Sequence, residues 1–169
     1  DAYVNEINKT RNYGSSQDLF VQSGQLKNKR ALLFFNMPSL PENSVIEKAE
    51  LNIYANEIPA LQRVYNLYRL SSVFLEGNGG VDNDPAGEVT WDNKPLTENA
   101  ISASTTTPSV KNSFMKFDIT SDASAFYNQS LENYGFVILD SVENEEVETF
   151  SNFRPKEYAS ASRRPFVEI

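Results

Sequence analysis

Between residues 49 and 56 apolar and polar side chains alternate: Ala49, Leu51, Ile53 and Ala55 share one parity, and Glu50, Asn52, Tyr54 and Asn56 share the other. A period of two is that of a β-strand with one face in a core and the other in water. The polar side of this strand is a candidate binding surface. Residues 30–35, RALLFF, are apolar on both parities after Arg30, which predicts a central strand covered on both faces. Shorter runs rich in β-branched and aromatic residues predict further strands at 2–5, 18–22, 64–70, 114–119, 136–139, 148–153 and 165–169.

Only residues 120–130 carry helical spacing: Thr120 as a cap, Asp122 in the first turn, then Ala123, Phe126 and Tyr127 on one side. The expected role of this helix is to cover the outer face of the strand at 30–35. Two long segments, 76–88 and 92–112, read as irregular loops, a length that in compact domains accompanies function or disorder. No repeat, low-complexity tract or linker interrupts the chain. The expectation is one domain over 1–169, all-β: a jelly-roll-type sandwich of two antiparallel sheets with one short covering helix.

Composition narrows the chemistry. A chain of 169 residues can bury roughly 70% of its unfolded surface as one domain. Cysteine is absent, so disulfides, zinc-thiolate sites and thiol nucleophiles are excluded. Histidine is absent too, removing serine-histidine chemistry and the commonest general base. Fifteen basic against 23 acidic residues give a net charge of −8, which argues against a nucleic-acid partner. No apolar run approaches the roughly 18 residues of a membrane span, and the start at Asp1 has no signal-peptide pattern, so the chain reads as a domain of a longer protein with no membrane insertion of its own.

Several residues suggest sites. Arg63, Tyr65 and Arg69 share a parity on one expected strand, and Tyr54 lies on the polar side of the preceding one. If those strands pair, the four form a polar aromatic patch suited to a uronic-acid glycan, since guanidinium forks match carboxylates. Ordinary cross-strand pairs on a surface, with Leu67 partly covering it, are the favoured alternative. Asp82, Asn83 and Asp84, with Glu76 and Glu88 nearby, offer the hard oxygens that calcium prefers, although solvated loop carboxylates are the simpler reading. Trp91 could stack on a sugar but fits better as a core anchor. Residues 140–148 hold five acids and read as a solvated hairpin loop.

Taken in order, DAYVNE (1–6), NYGSSQDLFV (12–21), RALLFFNMPSLPENSVIEKAELNIYANE (30–57), LEG (75–77), VTWDNKP (89–95), FDIT (117–120) and NYGFVIL (133–139) resemble the DNRLRE domain. That family is close to the disaggregatase-related repeats of archaeal surface proteins and is grouped with carbohydrate-binding modules. This chain has Phe74 and Leu75 where the family carries tryptophan before the E-G step, and SNFRPKE (151–157) as a loose counterpart of its S-R-E segment. The resemblance implies a β-sandwich at the cell surface or outside the cell, beside polysaccharide-degrading enzymes, with acidic glycans as one ligand class. A non-catalytic polysaccharide-binding module is thus the leading expectation. A structural repeat of an adhesin, sheath or pilus-like protein, for which an isopeptide cross-link could replace disulfides, is the alternative, and a polysaccharide lyase ranks below both.

Overall fold

The computed structural model describes residues 1–79 and 87–169. The strands are β1 (Ala2–Asn5), β2 (Leu19–Ser23), β3 (Lys29–Leu33), β4 (Glu50–Glu57), β5 (Val64–Leu70), β6 (Thr97–Thr106), β7 (Ser113–Asp118), β8 (Phe136–Asp140), β9 (Thr149–Phe153) and β10 (Phe166–Glu168), with helix α1 (Thr120–Tyr127) between β7 and β8. No helix among the described residues is long and apolar enough to cross a membrane.

The named strands pair antiparallel in the order β10-β4-β9-β2-β3-β8-β5-β6, with β1 added to β3 and β7 to β4. The fold is all-β with a single short helix, as expected, and its strands form one antiparallel sheet curled into a half-barrel, in which the two halves are joined through β2 and β3. β3 meets β2 through a single residue pair, Gln22 opposite Lys29, and meets β8 through residues 31–33. The ladder therefore turns a corner at β3 instead of ending there.

Two apolar clusters lie on opposite sides of the sheet around β3. Inside the curl, Leu51, Ile53 and Ala55 of β4 pack with Met115, Phe117, Val21, Leu33, Leu67, Ile138 and Phe153. On the other side Ala2, Val4, Leu32, Leu70, Val89 and Val137 are buried beneath Phe74, Trp91 and Tyr134. Alternation along β3 sends Ala31 and Leu33 inward and Leu32 outward, so this strand is covered on both faces as its sequence requires. Each fully buried aliphatic side chain contributes about 1.5–3 kcal/mol.

The helix does not cover that outer face. Ala123 and Phe126 enter the inner cluster, where the Phe126 ring lies 5.8 Å from that of Phe136, so α1 closes one end of the curl. The outer face is already occupied by Phe74, Val89 and Trp91 from the segments following β5.

The polar side of β4 is not a solvent face either. β10 pairs with residues 50–52, bringing Phe166 within 5.4 Å of the Phe114 ring, which in turn packs edge-on against Tyr54 at 5.2 Å. Asn52 and Tyr54 end up buried. Part of the expected loop at 92–112 is the ten-residue strand β6. Its Thr-rich sequence favours extension, but among the described residues it pairs only with β5 and stays largely exposed, so no apolar alternation marks it.

Candidate functional site

The four residues expected to form a glycan patch do not meet as one surface. β4 pairs with β7, β9 and β10, whereas β5 pairs with β6 and β8, so Tyr54 and the β5 residues are not cross-strand neighbours. Tyr65 is fully buried, which pushes its phenol above the ordinary range. Arg63 is clamped by Asp140 through Nε at 3.0 Å and Nη2 at 2.9 Å, and also reaches Glu145 and the Val142 carbonyl. Arg69 donates to Asp122 of α1 at 2.6 Å. Arg63, Tyr65 and Arg69 are thus engaged in fold contacts, and Tyr54 lies under Phe114 with Arg163 over its ring. Asp82 and Asp84 lie outside the described residues.

A different aromatic row reaches the surface. Tyr13 stacks on Tyr3 of β1 at 4.2 Å, Tyr3 meets Phe20 of β2 edge-on at 5.3 Å, and Phe20 approaches Phe150 of β9 at 6.3 Å. Tyr13 and Phe20 are half-buried and Phe150 is exposed. The Tyr13 ring is held by its hydroxyl, which accepts from Asn8 Nδ2 at 2.9 Å. Two cations lie over the row: Arg11 over Tyr13 at 5.3 Å and Lys29 over Phe20 at 4.6 Å.

Those cations differ from most others in the molecule. Arg30, Arg63, Arg69, Arg154, Lys116 and Lys156 each pair with a carboxylate. Neither Arg11 nor Lys29 has a carboxylate in contact among the described residues, and Arg11 Nε is buried without an acceptor. Burial lowers the Lys29 pKa against a smaller opposing pull from Glu148. The row escapes a sequence reading because it is assembled from four strands and a loop. One signal was available: Phe20 is aromatic on the outward parity of β2, opposite the inward Leu19 and Val21.

Segments from four places along the chain converge on Glu76. Asn12 Nδ2 donates to the carbonyls of Glu76 at 2.7 Å and Val89 at 2.8 Å, while its Oδ1 accepts from the N–H groups of Gly14 and Gly79. All four hydrogen-bonding positions of this buried amide are filled. Gly14 runs so close that a Cβ there would sit 2.1 Å from the Glu76 carbonyl oxygen, which explains the glycine. Carboxylate oxygens of Asp1, Glu76 and Glu157 lie within 4.8 Å of one another and could coordinate a metal ion. Lys156 sits among them, its ammonium donating to Glu76 Oε1 and Glu157 Oε1 and its N–H to Asp1 Oδ2. Asp1 Oδ1 and Glu157 Oε2 are buried without a partner.

Trp91 sits in a turn and is half-buried against the outer cluster, as a packing anchor. Lys94 lies 4.0 Å and Arg30 5.0 Å from its ring centroid, so the indole already carries cations where a sugar platform would need an open face.

A family model for carbohydrate-binding module family 96 matches residues 1–163, and the chain belongs to that family. The match names this family and not the DNRLRE and disaggregatase-related group that the motifs resemble. The domain is accordingly a non-catalytic, carbohydrate-binding one. No curated protein matches the chain.

Proposed function

We propose that this family 96 module binds an acidic polysaccharide outside the cell along the row formed by Arg11, Tyr13, Phe20, Lys29 and Phe150. The observation that carries this reading is the state of Arg11 and Lys29. In a chain with 23 acidic and 15 basic residues, these two cations rest on aromatic rings with no carboxylate in contact among the described residues. Ammonium and guanidinium groups meet the carboxylates of uronic-acid sugars, and the exposed Phe150 ring at the end of the row offers an apolar face to the pyranose. The 169 residues act as one accessory domain of a larger surface or secreted protein, and holding the polymer raises its concentration near a linked partner.

Affinity electrophoresis in gels cast with a polyuronate or with a neutral glucan tests the reading. The polyuronate retards the wild type, and Phe150→Ala, at an exposed ring, together with Lys29→Ala abolishes the retardation while the variant still melts cooperatively. Undiminished retardation of the double variant would sink the proposal.

A structural calcium ion belongs to the same reading, with its place at Asp1, Glu76 and Glu157. The three carboxylates supply the hard oxygens that calcium takes, and two of their oxygens are buried without a partner. The Lys156 ammonium competes for the same oxygens.

A further inference from the structure

We infer that the groove between Phe34 and Phe74 is a second saccharide site, and that it takes a neutral pyranose residue. A cavity of about 230 Å³ is lined by Asp1, Phe34, Phe74, Glu76 and Lys156. A smaller one of about 100 Å³ adjoins it, lined by Phe34, Val73, Phe74 and Tyr134. Both phenylalanines line the two cavities, so these share aromatic walls, and the larger one has a polar end. Phe34 is 44% exposed although it continues the apolar run of β3, so a large ring faces water at the edge of this space. The volume lies at or below the lower end of ordinary ligand pockets, which suits one sugar ring better than a polymer segment.

The polar end has the hydrogen-bonding capacity that hydroxyls need. Glu76 Oε1 takes both the Asp1 nitrogen, at 2.7 Å, and the Lys156 ammonium, which leaves Oε2 with no hydrogen-bond partner among the described residues. The ammonium has three N–H donors and spends two, on Glu76 and Glu157, with its side chain half exposed. In the ion-free protein one open acceptor beside one open donor matches a pair of sugar hydroxyls, each of which donates and accepts, and calcium on Glu76 would compete with the sugar. Carboxylates outnumber cations at this end, so a uronate would be repelled where a neutral sugar is not. None of Arg11, Tyr13, Phe20 or Lys29 lines the groove. The inference rests on the family's carbohydrate binding and not on the acidic-glycan row.

Calorimetric titration with neutral tetrasaccharides of glucose, mannose and galactose is the test, using wild type, Phe34→Ala, Glu76→Gln and Lys29→Ala. At least one sugar binds saturably, Phe34→Ala weakens it about tenfold through loss of the ring contact, Glu76→Gln weakens it as well, and Lys29→Ala leaves it unchanged. Phe34 is exposed, so its variant keeps the fold even if that of Glu76 does not. Failure of all three sugars to bind, or binding that Phe34→Ala leaves intact, overturns the inference whether or not the polyuronate row is correct.

Discussion

The hydroxyl of Tyr65 donates to Ser151 Oγ at 2.8 Å inside the fully buried core, tying β5 to β9, two strands that share no ladder. Tyr65→Phe removes the donor while keeping the ring against Phe153, so the expected cost is about 1 kcal/mol. Ser151→Ala strands the phenol instead and costs about 1–3 kcal/mol. Urea unfolding of both variants and of the double variant measures the coupling, and saccharide binding stays at the wild-type level in each.

Arg63 is a structural cation. Its partner Asp140 has no exposed side-chain surface, so Arg63→Ala leaves a buried carboxylate without its counter-charge and destabilises the fold by about 3 kcal/mol or more. Arg69→Ala, which strands the mostly buried Asp122, costs about 2 kcal/mol. Denaturant midpoints check both. If either variant lost polyuronate binding at unchanged stability, the residue would belong to the ligand face after all.

Polyuronate binding follows the charge on Lys29. Desolvation lowers its pKa from the ordinary value, and only the ammonium attracts a carboxylate. Affinity therefore falls as pH rises through a point below the free-lysine value of about 10.4. Lys29→Arg, which stays charged, moves that fall to higher pH. Identical pH profiles for wild type and Lys29→Arg would remove Lys29 from the site.

Removal of the Lys156 ammonium exposes the cation-binding capacity of its neighbours. Lys156→Met leaves Asp1, Glu76 and Glu157 with one neutralising cation fewer, so calcium raises the thermal midpoint of this variant more than that of the wild type. At a hundredfold excess over Kd the gain is about 2.7 kcal/mol. Equal midpoints with and without calcium in both proteins argue against any ion at this position.

Local pattern carried the strands well and the surfaces poorly. The parities of β3 and of the inward side of β4 follow from alternation alone, because burial of Ala49, Leu51, Ile53 and Ala55 is a property of one strand. What covers the opposite side of β4 is a property of distant segments: β10 pairs Phe166 with Asn52, Phe114 of β7 packs on Tyr54, and nothing near residue 54 announces either. The same holds for the aromatic row, where Tyr13, Phe20, Lys29 and Phe150 become neighbours only after the sheet turns its corner at Gln22 and Lys29. Pairing assumed from adjacency in sequence, β4 beside β5, was the step that misplaced Tyr54, Arg63, Tyr65 and Arg69. β6 was missed for the opposite reason, since an edge strand with little to bury leaves no hydrophobic period.

Trp91 is the only tryptophan in the chain, and it sits in the outer cluster between two cations. Intrinsic emission from this protein is therefore a report from one layer. A change in it registers movement of the turn at 91 or of Arg30 and Lys94, while the inner cluster inside the curl stays optically silent at that wavelength. Unfolding curves from tryptophan emission and from backbone circular dichroism coincide only if the two layers melt together, so a gap between them would measure how independently the outer layer is held.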